Sequence, residues 1–409
     1  MDEGVTRAGR LRTELMAGQG PDMFIFDEPH FAGLDTSLEM HTLAASGFVR
    51  NFYELIDADP NSNRDEFFTQ ALQAFEINNG LYMFPVSFGH EFVAVNAGLP
   101  QEFLDRFTQK SEITLFEMME FYLDLMDTYG DEFGHLSFDT GSGITWSPNM
   151  LQSLMGGFID FNARTANLTD PKFVEALEQM YRVYENWEAE GLWAANIFSS
   201  DFLQARAREY VFLATRGRLS TFDVFFTPET PIFKHFVPLV DDYGRLLLRS
   251  PGWEQIWSGV FITSAGDGEL AWELTRHMIY AYTNPVGRAA VWPGSGAPAF
   301  WGYQSLATPI LRPLFRDHAL RSFEYTFETW SGVGLQTFVG FDDDANRAAQ
   351  FKKAVNRIAS FHDRPMSMLS PMIPEHLFED TFDQFRRGLI TAEAAAQRIQ
   401  NAVFLWLIE

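Results

Sequence analysis

The sequence predicts an α/β protein built as two lobes. Three observations carry that expectation. Short apolar runs alternate with long helical patterns along the whole chain, which is the mark of strands joined by helices and of mostly parallel sheets. At 409 residues the chain exceeds one ordinary domain. No flexible or low-complexity stretch and no internal repeat divides it, so two lobes would be joined by strands crossing between them and not by a tether.

Taken in order, residues 11–16 read as the end of a helix, closed by Gly18 and Gly20. Pro21-Asp22 turns the chain into Met23-Phe24-Ile25-Phe26, a continuous apolar run suited to a strand buried on both faces. The loop after it carries Asp27, Glu28, His30 and Phe31, and ligands of open α/β sheets sit beyond the carboxyl ends of strands. A helix over about 66–74 feeds the stretch FEINNGLYMFPVSFGHEFVAVN, residues 75–96. Asn79-Gly80 predicts a two-residue type I′ turn there, because both central residues need positive φ, with strands at 75–78 and 81–84. Pro85 stops the second strand, since it cannot donate to a ladder. Residues 87–91 read as a polar gap holding Gly89 and His90, and residues 92–95 as a buried strand. A hairpin, a break and a buried strand describe a chain arriving at a cleft and crossing it.

Further along, Thr114 and Glu117 make a capping box for a helix over 115–129, which Gly130 ends. Residues 139–148 form a Gly/Ser/Thr loop containing Trp146, and a helix at 150–155 stops at Gly156-Gly157. Asp170-Pro171 caps a helix over 172–190, whose Phe173, Leu177, Met180, Tyr181, Tyr184 and Trp187 form a core stripe. Strands follow at 210–214 and 219–222 around Gly217, and a buried strand at 260–263. Helices are expected at 270–282, at 345–360 behind the acidic run 342–344, and from Thr391, with Ile399, Val403 and Leu407 on one stripe.

The net charge of −25 excludes nucleic acid and docking on anionic lipid by charge, because both ligands call for Lys and Arg; its plain reading is solubility. There is no cysteine, which removes disulfides, thiolate metal sites and cysteine nucleophiles. No run approaches the roughly 20 apolar residues of a membrane span, and Met1 opens directly into a polar segment. The 41 Phe and 10 Trp are mainly core material, with enough Trp to stack on a ligand in a cleft.

Catalytic and metal motifs fail when tested. His90-Glu91 lacks the second histidine of a zincin, and Gly294-Ser295-Gly296 is not a nucleophile elbow. Gly266-Asp267-Gly268 matches a dinucleotide fingerprint in outline and reads as a strand-to-helix turn. Asp57, Asp59, Asn61, Asn63 and Asp65 alternate like a calcium loop, but Ser62 stands where glycine is needed and Phe68 where the bidentate glutamate belongs. His30, His90 and His135 have no metal-binding spacing, and no carboxylate pair stands out for glycoside hydrolysis. Neither a metal nor a cofactor is expected.

In the order of its features the chain resembles the extracellular solute-binding proteins of ABC importers, in the carbohydrate-binding group (family 1) that includes maltose-binding protein. The matching pieces are LRTELMAGQGPDMFIFD at 11–27, NNGLYMFPVSFGHEFVAVN at 78–96, GGFIDFNARTANLTDPKFVEALEQMYRVYENW at 156–187, SGVFITSAGDGELAWELTRHM at 258–278 and GLITAEAAAQRIQNAVFLWLIE at 388–409. The family begins with a signal peptide, often a lipidated cysteine, and a first strand whose loop touches ligand. None of these precedes Leu11, which leaves open that the first strand is missing, and residues 298–369 match poorly.

The resemblance implies a two-lobed, periplasmic-binding-protein-like (type II) fold whose strand crossovers form a hinge. The N-terminal lobe is expected from 1–90 and about 262–325, and the C-terminal lobe from 91–261 and about 326–409. The implied function is capture of a sugar or oligosaccharide between the lobes and delivery to the transmembrane subunits of a permease, by a monomer that performs no chemistry. The implied address is extracellular or periplasmic, with a lipid anchor in the full-length precursor. Carried over by position, the implied ligand contacts are Phe26 and Asp27, Gly89 and His90, Trp146, Asp223 and Phe225, and Trp253 and Trp257. Sugar suits these types: its C–H face packs on rings while polar groups take hydroxyls. A receptor for a polyamine or peptide, which the acidity suits, and a glycoside-active enzyme are the competing readings.

Overall fold

The computed structural model describes residues 3–27, 40–85, 87–134, 136, 138, 148–189, 211–214, 233–249, 258–283, 308–320, 344–368 and 373–408. The helices are α1 (Glu3–Met16), α2 (Met40–Ala45), α3 (Phe52–Ala58), α4 (Thr69–Gln73), α5 (Gln101–Thr108), α6 (Leu115–Phe133), α7 (Pro148–Gly156), α8 (Pro171–Ala189), α9 (Gly268–Thr283), α10 (Asp344–Ala359), α11 (Glu379–Arg386) and α12 (Ala392–Ile408). The strands are β1 (Met23–Asp27), β2 (Phe84–Pro85), β3 (Ser87–His90), β4 (Phe92–Asn96), β5 (Ile113–Thr114), β6 (Ile159–Asp160), β7 (Thr165–Ala166), β8 (Phe212–Ala214), β9 (Phe233–Val240), β10 (Leu246–Arg249), β11 (Ser258–Ile262), β12 (Thr308–Pro309) and β13 (Met366–Met368). No described helix is long and apolar enough to cross a membrane.

One sheet has the order β1-β11-β2; a larger one runs β12-β3-β10-β9-β4-β8, with β13 beside β10 and β5 beside β9. Two hydrophobic cores flank the larger sheet, and its central strands divide their side chains between them. Phe92 and Ala94 of β4 enter the first core and Val93 and Val95 the second. Phe236 and Val240 of β9 and Leu246 and Leu248 of β10 join the first; Val237, Leu239 and Leu247 join the second. Successive strand residues point to opposite faces, so a sheet covered on both sides needs apolar residues at every position. The first core holds β1, β2, β11, α3 and α9, together with Val355, Ile358 and Met366. The second holds α5 to α8, α11 and α12.

Several local readings are met. Gly18 and Gly20 have positive φ, and the Gly18 and Gln19 N–H groups donate to Leu15 and Glu14 carbonyls, closing α1. Both bonds of the Thr114–Glu117 capping box are present. Phe173, Leu177, Met180 and Tyr184 of α8 are buried, as are Ile399, Val403 and Leu407 of α12.

Other readings are corrected. Among the described residues only β10–β13 and β5–β9 run parallel, and the other strand pairs are antiparallel. Continuous apolar character reports that both faces are covered, not which way the neighbours run. Among the described residues β1 has one strand neighbour, β11, and Ile25 is 43% exposed, so it is not buried on both faces. The expected helix over 66–74 is broken at Phe67-Phe68, where the chain turns to pair with Ile310 and Leu311. The polar gap at 87–91 is mostly strand β3. The tight turn lies one residue early: Asn78 (φ 53°) and Asn79 (φ 59°) are its central residues, and Ile77 and Gly80 exchange backbone bonds without flanking strands.

The Gly266-Asp267-Gly268 turn joins β11 to α9 as a packing device. The Asp267 N–H is taken by the Asp22 carboxylate at 3.0 Å, and Arg50 Nη2 donates to the Gly266 carbonyl at 3.2 Å. A Cβ on Gly266 would lie 2.6 Å from the Asp22 Cα, a backbone atom that cannot rotate away. Gly266→Ala is therefore expected to cost about 1–3 kcal/mol of stability by overpacking. Chemical denaturation checks this, and an unchanged midpoint would mean that the Asp22 backbone yields freely.

Candidate functional site

The sheet registers place two groups of expected contacts, Phe26 with Asp27 and Gly89 with His90, on neighbouring strand ends. In the three-stranded sheet Phe26 faces Gly259 and Asp27 faces Ser258, while Pro85 faces Gly259 from the other side. In the larger sheet Gly89 faces Arg249 and His90 faces Leu248. The chain leaves the small sheet at Pro85 and enters the large one at Ser87; it leaves the large sheet at Arg249 and re-enters the small one at Ser258. The described ends of these two passages lie side by side, because β2 pairs β11 on one side and β3 pairs β10 on the other. The segment bearing Trp253 and Trp257 is thus flanked by Arg249, opposite Gly89, and by Ser258, opposite Asp27.

Trp253 and Trp257 themselves lie outside the described residues, as do Trp146, Asp223 and Phe225; for Phe26 and Asp27 the backbone is described. The segment with Asp223 and Phe225 is flanked by Ala214 and Phe233, which pair with Val93 and Asn96 on opposite edges of β4.

His90 is fully described. Its ring is 5% exposed and sits within the first core's aromatic packing. It stacks on His362 at 5.4 Å and 28°, and meets the edges of Phe88 (5.5 Å), Phe92 (6.3 Å) and Phe361 (6.4 Å). His362 in turn packs on Phe68 at 4.2 Å and Phe315 at 4.4 Å. Burial removes the water that would solvate a charged imidazole, and cationic Arg364 adds repulsion, so His90 is pushed down to about 3. Burial, then His90 and Arg312, push His362 down to about 2. Both rings are neutral at pH 7, and in this state the His90 ring is packed among rings, while Gly89 offers only backbone.

In the sequence Glu91 stands only as part of a failed zincin motif. It is buried at the step from β3 to β4, its N–H donating to Leu247 and its carbonyl accepting from Leu239. Its signal was a lone carboxylate directly before four apolar residues. No three described His, Asp or Glu side chains gather as a metal site.

Comparison places this architecture. Over 98% of the chain it superposes, at 14% identity and a TM-score of 0.55, on 88% of an oligosaccharide periplasmic-binding protein from Synechococcus sp. MITs9220 crystallised with zinc. It matches 89% of the sugar-binding protein MalE of Xanthomonas citri over its whole length, at 12% identity and a TM-score of 0.54. It also matches 94% of an ABC substrate-binding protein of Listeria monocytogenes in complex with cycloalternan, at 12% identity and a TM-score of 0.52.

The fold is that of the two-lobed periplasmic binding proteins.

These neighbours are binding proteins, and the likeness extends over nearly the whole of each chain. No protein-family model matches the sequence, and no curated protein matches it. The junction at Asp27, Pro85, Gly89 and Ser258 is the candidate site.

Proposed function

We propose that the protein is the solute-binding receptor of an ABC importer, holding a sugar or oligosaccharide between two lobes and handing it to a membrane permease. The observation that carries this reading is the pair of adjacent passages between the two sheets. Two adjacent passages of the chain can act as a hinge that absorbs a rotation of one lobe against the other. Sugar is favoured because the sugar-binding neighbours share the whole architecture. The N-terminal lobe comprises about 1–90 and 262–325, and the C-terminal lobe 91–261 and 326–409. Aromatic Trp146, Phe225, Trp253 and Trp257 stack on the solute and Asp27 and Asp223 take its hydroxyls. No bond is made or broken. The protein works as a monomer outside the cytoplasm, held to the membrane by a lipid in its precursor.

Closure follows from differential contact: a solute touching both lobes binds the closed form more tightly, and only that difference moves the equilibrium. Micromolar affinity needs about 8 kcal/mol, which stacked rings and several hydrogen bonds supply after ordering costs. Trp146→Ala is expected to weaken binding by about 2 kcal/mol, roughly thirtyfold, the value of burying one large side chain. Its melting temperature should stay near that of the parent. Calorimetry against a panel of neutral sugars measures the first and thermal unfolding the second. A large stability loss without a change in affinity would put Trp146 in the core, and a scattering profile unchanged by every saturating sugar would remove the hinge.

A further inference from the structure

We propose that the protein carries a second small-molecule site, for a neutral saccharide, in a cavity between the two cores beside the β6–β7 hairpin. The class of ligand rests on the receptor reading above; the site stands on its own walls. The cavity encloses about 670 Å³, within the range of small-molecule sites. Gly89 and His90, the expected contacts that are fully described, do not line it.

One wall belongs to elements of the first core, from the end of α4 through Glu76 and Ile77, and along β13. The opposite wall is the β6–β7 hairpin with Trp406 of α12, from the second core. The walls are clasped at the rim. The Asn79 N–H donates to Asn162 Oδ1 at 2.9 Å, and Arg164 Nε donates to Asn78 Oδ1 at 2.7 Å. Asn78, Asn79 and Arg164 all have positive φ. Side chains other than glycine rarely adopt that conformation, and it is kept where the surroundings over-determine it.

The lining has the chemistry of polyol recognition. Trp406 is 9% exposed and meets Phe161 edge-on at 6.3 Å, offering apolar ring surface to a C–H face. Glu76 is oriented before any ligand arrives, because its Oε1 accepts the Tyr53 hydroxyl at 2.5 Å, and Tyr53 lies under the Arg64 guanidinium at 4.1 Å. Asp160 is fixed by the Asn162 and Ala163 N–H groups at 2.9 and 2.8 Å. The charge of Arg245 is met by the buried Asp241 carboxylate. Glu76 and Asp160 then leave the wall negative, which disfavours phosphorylated and carboxylated ligands and suits hydroxyl donors.

The test is calorimetry on the full chain with neutral gluco-, galacto- and xylo-oligosaccharides, with putrescine as the cationic probe. Two saccharide equivalents per chain are expected. Trp146→Ala should weaken one roughly thirtyfold, and Glu76→Gln should weaken the other at least tenfold. Asp160→Asn keeps an acceptor for its two N–H bonds at an exposed position, so it folds, and should weaken the same equivalent at least tenfold. A single equivalent that responds to Trp146 and to neither carboxylate overturns this site and leaves the receptor reading standing. Putrescine bound through Glu76 with no saccharide there overturns the ligand class. No saccharide binding in any variant removes both.

Discussion

Phe84→Ala is expected to lower the free energy of unfolding by about 3–5 kcal/mol, the cost of deleting a fully enclosed aromatic side chain and leaving its cavity. Phe84 is completely buried at the start of the first passage. Its ring is packed by Phe52 at 5.3 Å, Phe67 at 5.4 Å and Trp272 at 5.8 Å, with tilted and edge contacts. Those partners come from α3, the break before α4, and α9, so no one of them can move in to refill the space without dragging its element. Urea denaturation should show a lower midpoint with an unchanged slope. Leu270→Ala, at an exposed position of α9, is the control and should change stability by less than about 0.5 kcal/mol. A loss below about 1 kcal/mol at Phe84 would mean that the ring is not enclosed as described.

The second large effect is acid sensitivity from the stacked histidines. In the unfolded chain both titrate near 6.5, whereas in the fold burial holds His90 down at about 3 and His362 at about 2. Above pH 6.5 both states are neutral and the rings cost nothing. As pH falls below 6.5 the unfolded chain takes up protons that the fold refuses, so stability is lost progressively until the folded values are reached. From pH 7 to pH 5 each ring should contribute a loss of about 2 kcal/mol, and the pair about 4 kcal/mol. The charged groups that act on the pair, Arg364 on His90 and Arg312 on His362, are cationic and reinforce the sign. Denaturation at the two pH values measures it, with His362→Phe as the comparison, a ring placed among Phe68, Phe88 and Phe315. The variant should lose about half of this slope. A variant with the parent's pH dependence would mean that His362 is reached by water.

Much of the local structure was legible because it depends on neighbours in sequence. The glycine closure of α1, the Thr114–Glu117 box, the stripe of α8 and the final helix all follow from spacing within a turn or two. The strand at 92–96 was legible as buried on both faces, and the crossing of strands between sheets was legible from the absence of a tether. The turn at 75–80 was legible in kind and misplaced by one residue. Its register is set by Asn162 and Arg164, which are 83 and 86 residues away from their partners. The polar look of Ser87–His90 misled for the same reason. Polarity there is absorbed by ladder bonds to β10 and β12 and by an aromatic cluster drawn from distant segments. The cavity walls were not legible, since α4, β6, β13 and α12 are far apart in sequence and are brought together only in the fold.

By itself the sequence determined the long helices, several of their caps and which faces of them must be covered, because propensity, capping and periodicity act over a few residues. It also determined the net charge of −25. Only the tertiary structure decided that the described strand pairs are mainly antiparallel, that the His90 ring is neutral and enclosed, and that the described ends of the two passages lie side by side. Each of these depends on which distant segment supplies the cover, and a local pattern states the need for a partner without naming it.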